Sequence, residues 1–149
     1  MTQPLAPEAP LAEQTVDRPA AAGSVQPGAA LKIMVVDDSP AQRHYLADLL
    51  TRRGYVVTTA ENGTDALAKI RADRPALVLM DVVMPGANGF QVTRALVRDP
   101  DTREIPVILC TSKSADTDRI WGMRQGARGY LVKPVDAEEL LAKIADLVH

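Results

Sequence analysis

The chain has 149 residues, of which 46% are hydrophobic, so it can bury one ordinary core and is expected to form one domain. Its 17 basic and 19 acidic side chains give a formal net charge of -2, which excludes a strongly basic surface for nucleic acid or an anionic membrane. The single cysteine, Cys110, excludes an internal disulfide and a zinc site with paired thiolates. Because the chain has this one cysteine, we expect a protein of the reducing cytoplasm. No apolar run is long enough to span a bilayer, and no secretory signal is visible.

Residues 1–30 differ in composition from the rest of the chain. They are rich in Pro and Ala, contain no aromatic residue and show neither helical nor strand periodicity. Such a segment cannot bury enough apolar surface to offset the entropy lost on ordering, so we predict a flexible N-terminal tail. The tail carries three acidic residues and one basic residue, which leaves 16 of each sign in a nearly neutral domain at residues 31–149.

From residue 31 onward, short apolar runs alternate with segments of helical periodicity. A short apolar run bounded by turn residues is typical of a strand buried in a parallel sheet. The patterns predict strands at 31–36, 55–59, 76–80, 106–110 and 129–132, and helices at 42–53, 64–72, 89–98, 116–125 and 137–148. This regular alternation predicts an α/β fold, with a doubly wound parallel sheet and helices on both of its faces.

Capping residues mark the ends of the predicted helices. Ser39 is suited to cap the first helix, Pro40 to occupy its first position and Gly54 to end it, while Asp136 caps the last helix. Apolar stripes predict the inward faces of these two helices: Tyr45, Leu46, Leu49 and Leu50 in the first, and Leu140, Leu141, Ile144 and Leu147 in the last.

Polar residues follow four of the five predicted strands. They are Asp37 and Asp38 after the first strand, Asp81 after the third, Thr111 after the fourth and Lys133 after the fifth. The carboxyl ends of parallel strands meet at one edge of the sheet, which is where ligands bind in open α/β folds. Each residue alone has an ordinary structural explanation, but their convergence predicts a functional site.

Three clustered carboxylates repel one another, and a divalent cation relieves that repulsion. An all-oxygen site with room for water suits Mg²⁺ or Mn²⁺ better than zinc. With a cation in place, Asp81 is a plausible nucleophile toward a phosphoryl group, and the Lys133 ammonium and Thr111 hydroxyl could stabilise the charge on the transferring group.

These motifs resemble those of the receiver domains of bacterial two-component response regulators, the CheY-like family. The resemblance rests on Asp37-Asp38, on Asp81 followed by Met84-Pro85 and Gly89, and on Thr111 and Lys133-Pro134, and it covers residues 31–149. It implies a flavodoxin-like (βα)5 fold with strand order 2-1-3-4-5, an order that comes from the resemblance alone.

The resemblance also implies roles for individual residues. Asp81 would accept a phosphoryl group from a histidine kinase of the CheA-like type. Asp38, Asp81 and the Val83 carbonyl would bind Mg²⁺ directly, and Asp37 largely through water. Lys133 would pair with the aspartate or its phosphate.

Two further residues would act as a switch in this family. Thr111 would move toward the phosphate and Tyr130 would swing inward, and the Lys133–Pro134 peptide bond would be cis. The protein would catalyse only its own phosphorylation and dephosphorylation, and would signal as a stand-alone regulator, a monomer, through the surface of helix four, strand five and helix five.

Within the family, the segment WGMRQGA at 121–127 is most similar to receivers of type IV pilus twitching-motility systems, the PilH type. A role in twitching motility or chemotaxis-like control follows. Ser112 stands where the family usually has Ala, and Val83 and Lys113 also flank the site, so the lifetime of the phosphorylated state is open.

Three other functions are alternatives to a signalling receiver. A haloacid-dehalogenase-type phosphatase places a second Asp two positions after the nucleophile, where this chain has Val83. A flavin or nucleotide binder needs a phosphate loop after the first strand, where this chain has two aspartates. A receiver that only drains phosphate from a shared kinase stays an alternative.

Three residues outside the site are expected to be structural or remain open. Cys110 is predicted to pack at the end of a buried strand, and His44 to lie on a helix surface. For Trp121, packing in the core and exposure at an interface are equally compatible with the pattern.

Overall fold

The computed structural model describes residues 30–148, which form five strands and five helices in strict alternation. The predicted tail at 1–30 lies outside the described residues, apart from Ala30. The strands are β1 (Lys32–Val36), β2 (Val56–Ala60), β3 (Leu77–Met80), β4 (Val107–Thr111) and β5 (Gly129–Val132). The helices are α1 (Pro40–Arg52), α2 (Gly63–Asp73), α3 (Gly89–Arg98), α4 (Asp116–Arg124) and α5 (Ala137–Leu147).

All five strands lie in one parallel sheet with the order β2-β1-β3-β4-β5. The strand order doubles back at β1, so the helices are distributed over both faces of the sheet. This confirms the predicted fold class and strand order. Within residues 30–148, no helix is both long and apolar enough to cross a membrane.

The two faces of the sheet carry two separate cores. Alternate strand residues point to opposite faces, so Met34, Val78 and Leu109 pack in one core and Ile33, Leu79 and Ile108 in the other. Every residue of the central strand β3 is buried. Burial on both faces explains why β3 is apolar throughout instead of alternating with polar residues.

Capping interactions position the helices largely as the sequence predicts. Ser39 accepts a hydrogen bond from the Gln42 N–H and Pro40 opens α1, while Gly54, at φ +93°, follows its end. Asp136 caps α5 in the same way. The observed elements differ from the predicted ones by at most two residues at either end.

One predicted inward residue is wrong. Leu46 and Leu50 of α1 are buried and Leu49 packs partly against the core, but Tyr45 is 47% exposed. Tyr45 lies only one position from Leu46, about 100° around the helix, so it falls at the edge of the apolar stripe. A tyrosine, with an apolar ring and a polar tip, tolerates such a half-exposed position.

Candidate functional site

The register of the sheet brings the first and third strand ends side by side. Val36 is paired with Met80, so the residues that follow them, Asp37 and Asp81, emerge next to each other. The Asp81 N–H donates to the Val36 carbonyl at 2.9 Å, and the Asp37 N–H donates to the Ala60 carbonyl at 3.1 Å. Both aspartates are therefore held by the backbone of the sheet.

The three predicted acidic residues form one cluster. A carboxylate oxygen from each of Asp37, Asp38 and Asp81 lies within 4.8 Å of the others. Asp37 and Asp81 are buried, while Asp38 is exposed and opens the cluster to solvent. Such an arrangement of hard oxygen ligands with one open side suits Mg²⁺, which retains water molecules when bound.

Lys133 reaches this cluster from the end of β5. Its Nζ lies 2.6 Å from Asp37 Oδ2 and 3.5 Å from Asp81 Oδ2, so it is bound more closely to Asp37. The Lys133 N–H donates to the Thr111 carbonyl at 2.8 Å, which ties the ends of β4 and β5 together. The Lys133–Pro134 bond is cis, as expected.

Burial and neighbouring charges shift the pKa values of both partners. Burial raises the pKa of the Asp81 carboxyl; the Lys133 ammonium opposes this, and the adjacent Asp37 adds to it. Burial by itself would lower the pKa of Lys133, but its hydrogen bond to Asp37 and the charges of both aspartates outweigh burial and raise that pKa. Lys133 is therefore charged at neutral pH, and it partly compensates a cluster that has a surplus of negative charge.

Asp37 makes additional contacts that were not predicted from sequence. Its Oδ1 accepts the Ser39 N–H at 2.9 Å, and its backbone carbonyl accepts a hydrogen bond from Arg43 Nη1 at 2.7 Å. The spacing between Asp37 and Ser39 is that of an Asx turn, a signal available in the sequence. The Arg43 contact depends on how α1 leaves the sheet and has no such signal.

Thr111 and Tyr130 are linked through the loop that follows β4. The Lys113 N–H donates to Thr111 Oγ1 at 3.3 Å, and the Tyr130 hydroxyl donates to the Lys113 carbonyl at 2.7 Å. Arg119 of α4 donates to the Tyr130 carbonyl at 3.2 Å, and its guanidinium lies 5.1 Å from the centre of the Tyr130 ring. Tyr130 is buried in this position. One continuous set of contacts therefore joins the site to α4.

Gly89 at the start of α3 provides space behind Asp81. A Cβ at this position would lie 2.2 Å from the Asp81 carbonyl oxygen and 2.9 Å from the Val82 Cα. The Gly89 N–H donates to the Val82 carbonyl at 2.9 Å, so helix and strand end meet backbone to backbone. Glycine is required here for close approach, a role that its place in the sequence motif does not reveal.

The remaining site residues surround the cluster. The Val83 N–H donates to Asp81 Oδ1 at 3.4 Å, while Val83 as a residue is 55% exposed. Ser112 is also exposed.

Cys110 is buried, and burial raises its pKa to about 12, which agrees with the predicted packing role. His44 lies on the surface as predicted, and Trp121 is 49% exposed, which resolves its two interpretations in favour of the surface.

The structure thus brings together the residues predicted to converge. Asp37, Asp38, Asp81 and Lys133 lie in one cluster, and Thr111 is joined to it through the Lys133 backbone. Residues 33–145 match the model of the response regulator receiver domain. The chain belongs to the response regulator receiver domain family. The phosphatase and nucleotide-binding alternatives are thereby set aside.

Individual relatives agree with this membership. The protein PilH of Pseudomonas aeruginosa is 53% identical over 113 residues, which are 76% of this chain and 93% of PilH. The response regulator PleD of Caulobacter vibrioides is 45% identical over 118 residues, but these cover only 26% of PleD. The structure of the chemotaxis response regulator CheY4 of Vibrio cholerae is similar, with a TM-score of 0.75 and 32% identity over 80% of this chain and 99% of CheY4.

Proposed function

We propose that Asp81 is the phosphoacceptor of this receiver domain, residues 31–149, and that the protein acts as a stand-alone response regulator. The observation that carries the proposal is the position of the Asp81 carboxylate. It is buried at the carboxyl edge of the sheet, belongs to a three-carboxylate cluster, and lies farther from Lys133 than Asp37 does. Lys133 therefore pairs more closely with Asp37 than with Asp81, whose ion pair at 3.5 Å is the longer of the two.

Asp81 itself would be the nucleophile in the phosphoryl transfer. A carboxylate oxygen of Asp81 attacks the phosphorus of a phosphohistidine, the phosphorus–nitrogen bond breaks, and the histidine nitrogen leaves with the electron pair and takes up a proton. The product is an acyl phosphate. Hydrolysis by water regenerates the carboxylate and releases inorganic phosphate, so the protein catalyses only its own modification and its reversal.

The carboxylate cluster fits the divalent cation that the family resemblance implies. Asp38, Asp81 and the Val83 carbonyl would hold Mg²⁺ directly, and Asp37, already bound by Lys133 and Ser39, would act through water. Burial and the Asp37 charge both raise the pKa of Asp81, so a cation would favour its ionised, nucleophilic form. When bound, the cation would neutralise negative charge on the phosphoryl oxygens.

Lys133 and Thr111 provide the remaining stabilisation of the phosphoryl group. Lys133 needs only to shift from Asp37 toward Asp81, because it already lies within 3.5 Å of Asp81. The Thr111 hydroxyl accepts the Lys113 N–H but donates to no described residue, so its proton is available to a phosphoryl oxygen. A move of Thr111 would break the long 3.3 Å bond to Lys113 at small cost.

Thr111 and Tyr130 then form the switch. Loss of the Thr111 contact frees the Lys113 peptide, whose carbonyl accepts the Tyr130 hydroxyl. Tyr130 contacts Arg119, so a change in the site is transmitted to α4. A small charge change at one end is thus coupled to a helix that can repack at the other.

The output partner would be a protein that binds α4, β5 and α5. Three large apolar side chains of α4, Ile120, Trp121 and Met123, are 45% or more exposed. The likeness to PilH supports a role in twitching-motility or chemotaxis-like control, with a CheA-like histidine kinase as phosphodonor. The exposed apolar face of α4 supports a downstream target that is itself a protein.

Beryllofluoride titration in Mg²⁺ tests the proposal, because beryllofluoride mimics the acyl phosphate. Trp121 fluorescence and amide NMR shifts are followed for the wild type, for Asp81→Asn and for Asp146→Asn, which removes an exposed carboxylate from α5. We expect a saturable, Mg²⁺-dependent change in the wild type and in Asp146→Asn. Asp81→Asn is expected to show none.

Two results of the same titration would contradict the proposal. A full response in Asp81→Asn would exclude Asp81 as the acceptor. A wild type that binds Mg²⁺ but shows no response would mean that the site is inert and that the domain is a constitutive docking module.

Tyr130→Phe separates the switch from acceptance of phosphate. Beryllofluoride binding should persist in this variant, while the spectral change in α4 becomes smaller because the bond to Lys113 is lost.

A further inference from the structure

Three arginines line one cavity between α3 and α4. The cavity has a volume of about 280 Å³ and is lined by Arg94, Val97 and Arg98 of α3 and by Arg124 and Gln125 at the end of α4. The domain as a whole is nearly balanced in charge. The cavity is therefore a local concentration of positive charge that the overall composition does not predict.

All three arginines are exposed residues whose guanidinium groups have no partner within the described part of the chain. Within residues 30–148, Arg94, Arg98 and Arg124 form no ion pair and donate no side-chain hydrogen bond. The acid nearest in sequence, Asp99, is instead paired with Arg71 of α2 at 3.4 Å. The guanidinium groups of arginines from α3 and α4 therefore line the cavity without a hydrogen-bond partner among the described residues.

Helix capping does not account for the three side chains. The carbonyls of Trp121, Gly122 and Met123 accept backbone N–H groups from residues 125–127. On α3, the Leu96 carbonyl accepts the Thr102 hydroxyl at 2.7 Å. The helix dipole favours cations at Arg98 and Arg124 in the last turns. It does not explain Arg94, which lies one turn earlier.

The cavity is separate from the phosphoacceptor site. In this topology, helices run back across the sheet, so α3 and α4 end at the edge where β4 and β5 begin. Asp81 lies at the opposite edge, where the strands end. A ligand in the cavity therefore does not compete with phosphorylation for space.

We propose that this cavity binds the phosphate group of a small organic phosphate of mononucleotide size. Arginine presents paired N–H donors that match phosphate oxygens, and three of them can neutralise a phosphate dianion. The volume of about 280 Å³ lies just below the range of roughly 300 to 1,000 Å³ that is usual for ligand pockets, so a small ligand fits it better than a large cofactor.

The wall of the cavity supports a ligand with an apolar or planar part beside its phosphate. Val97 supplies the apolar contact, and it is held against Gly126, where a Cβ would lie 2.6 Å from Val97 Cγ2. The Gln125 residue is 9% exposed and makes no described side-chain hydrogen bond, so its amide is available to a ligand. Arginine planes also stack on nucleobases, which favours a nucleotide over a simple sugar phosphate.

The test is a titration of the 149-residue protein in the absence of Mg²⁺. Leaving out the cation disfavours phosphate binding at the aspartates. The probes are guanosine monophosphate, inorganic pyrophosphate and neutral guanosine, and the readout is the arginine Nε–Hε and amide NMR shifts. The double variant Arg98→Gln/Arg124→Gln is compared with Arg103→Gln/Arg128→Gln, which removes the same charge from exposed positions outside the cavity. Thermal unfolding establishes that both variants fold.

We expect saturable binding of guanosine monophosphate, with shifts confined to the ends of α3 and α4 and with no saturable binding of guanosine. The cavity variant should bind at least about tenfold more weakly, because hydrogen bonds to charged groups are lost, and the control variant should change less than about twofold. Pyrophosphate binding as tight as that of the nucleotide would mean that the site recognises free phosphate groups, and would overturn the nucleotide part of the proposal.

Three results would overturn the proposal as a whole. Equal weakening in both double variants would indicate non-specific attraction to net charge. Shifts centred on Asp81 and Asp37 would place the ligand in the phosphoacceptor site. Shifts that rise linearly with each probe up to millimolar concentration would mean that no site exists. None of these results bears on phosphorylation of Asp81, which the beryllofluoride titration tests separately.

Discussion

The carboxyl edge of the sheet and the outer face of α4 are both functional candidates, but they are built in opposite ways. At the edge, polar side chains are buried and held by hydrogen bonds, as in the contacts of Asp37 with Lys133 and Ser39. On α4, the apolar side chains of Ile120, Trp121 and Met123 are exposed. Each region reverses the usual preference of its residues for water or for the core.

The difference teaches how each region is stabilised. A buried charge is tolerated only where it is paired and hydrogen-bonded, so the edge depends on its neighbours for its stability. An exposed apolar side chain needs no partner in the isolated domain, and its burial is left for an interface. Substitutions should therefore cost stability at the edge and little on the outer face of α4.

The largest expected effect is the protection of the Cys110 thiol from alkylation. Cys110 is the residue before the last one of β4. Its alkylation by iodoacetamide at pH 8 should be at least about a thousandfold slower than in urea, because reaction requires opening of the core. Mass spectrometry of timed samples measures this. Rapid labelling of the native protein would show that the edge is open.

The raised pKa of Cys110 also predicts how the stability of the fold changes with pH. A thiol that ionises at about 12 in the folded state and near 8.5 when unfolded stabilises the fold below the lower value. This contribution is lost as the pH rises between the two values. Urea unfolding of the wild type and of Cys110→Ala from pH 8 to 11 should show a steeper decline in the wild type.

The next largest effect is expected for Gly89→Ala. Its Cβ would overlap backbone atoms of Asp81 and Val82, which cannot rotate away, so we expect a loss of about 3 kcal/mol in the free energy of unfolding. Gly86→Ala is the matched control: it has φ +77° but nothing within 4 Å of its Cβ, so it should lose only about 1 kcal/mol. Urea denaturation compares the two, and equal losses would refute the close-approach explanation.

Lys133→Met should destabilise the domain by about 2 kcal/mol without Mg²⁺, because the carboxylates of Asp37 and Asp81 lose the only ion-pair partner that they have among the described residues. Mg²⁺ should restore most of that loss, since the cation replaces the ammonium. Lys113→Met removes an exposed lysine beside the site and should change stability by less than about 0.5 kcal/mol. If Lys133→Met lost the same free energy of unfolding with and without Mg²⁺, the cation would not replace the charge of the lysine, and this explanation would be wrong.

The smallest effect is expected for Trp121→Ala, at about 0.5 kcal/mol or less, because the side chain is half exposed. Leu140→Ala, at a fully buried position of α5, should cost about 2 to 5 kcal/mol in the same urea experiment. Similar losses for the two variants would place Trp121 in the core and remove the contrast between the edge and α4.

Much of the fold and the members of the candidate site could be predicted from sequence. Strand β5 and helix α3 have the predicted bounds, and a capping box at Asn88 marks the start of α3. Convergence of Asp37, Asp81 and Lys133 also follows from strand ends and parallel topology. Tyr45 could not be placed correctly, because a position at the edge of a helical stripe depends on how the helix packs.

The sequence by itself determined the alternation of strands and helices, the residues at the strand ends and the chemistry those residues can perform, because these depend on local patterns. Only the tertiary structure decided which Asp partner Lys133 binds more closely, that Gly89 contacts the backbone of Asp81, and that Arg94, Arg98 and Arg124 share one cavity. Each of these contacts joins segments distant in the chain. Their distances depend on register and helix packing, which no local pattern encodes.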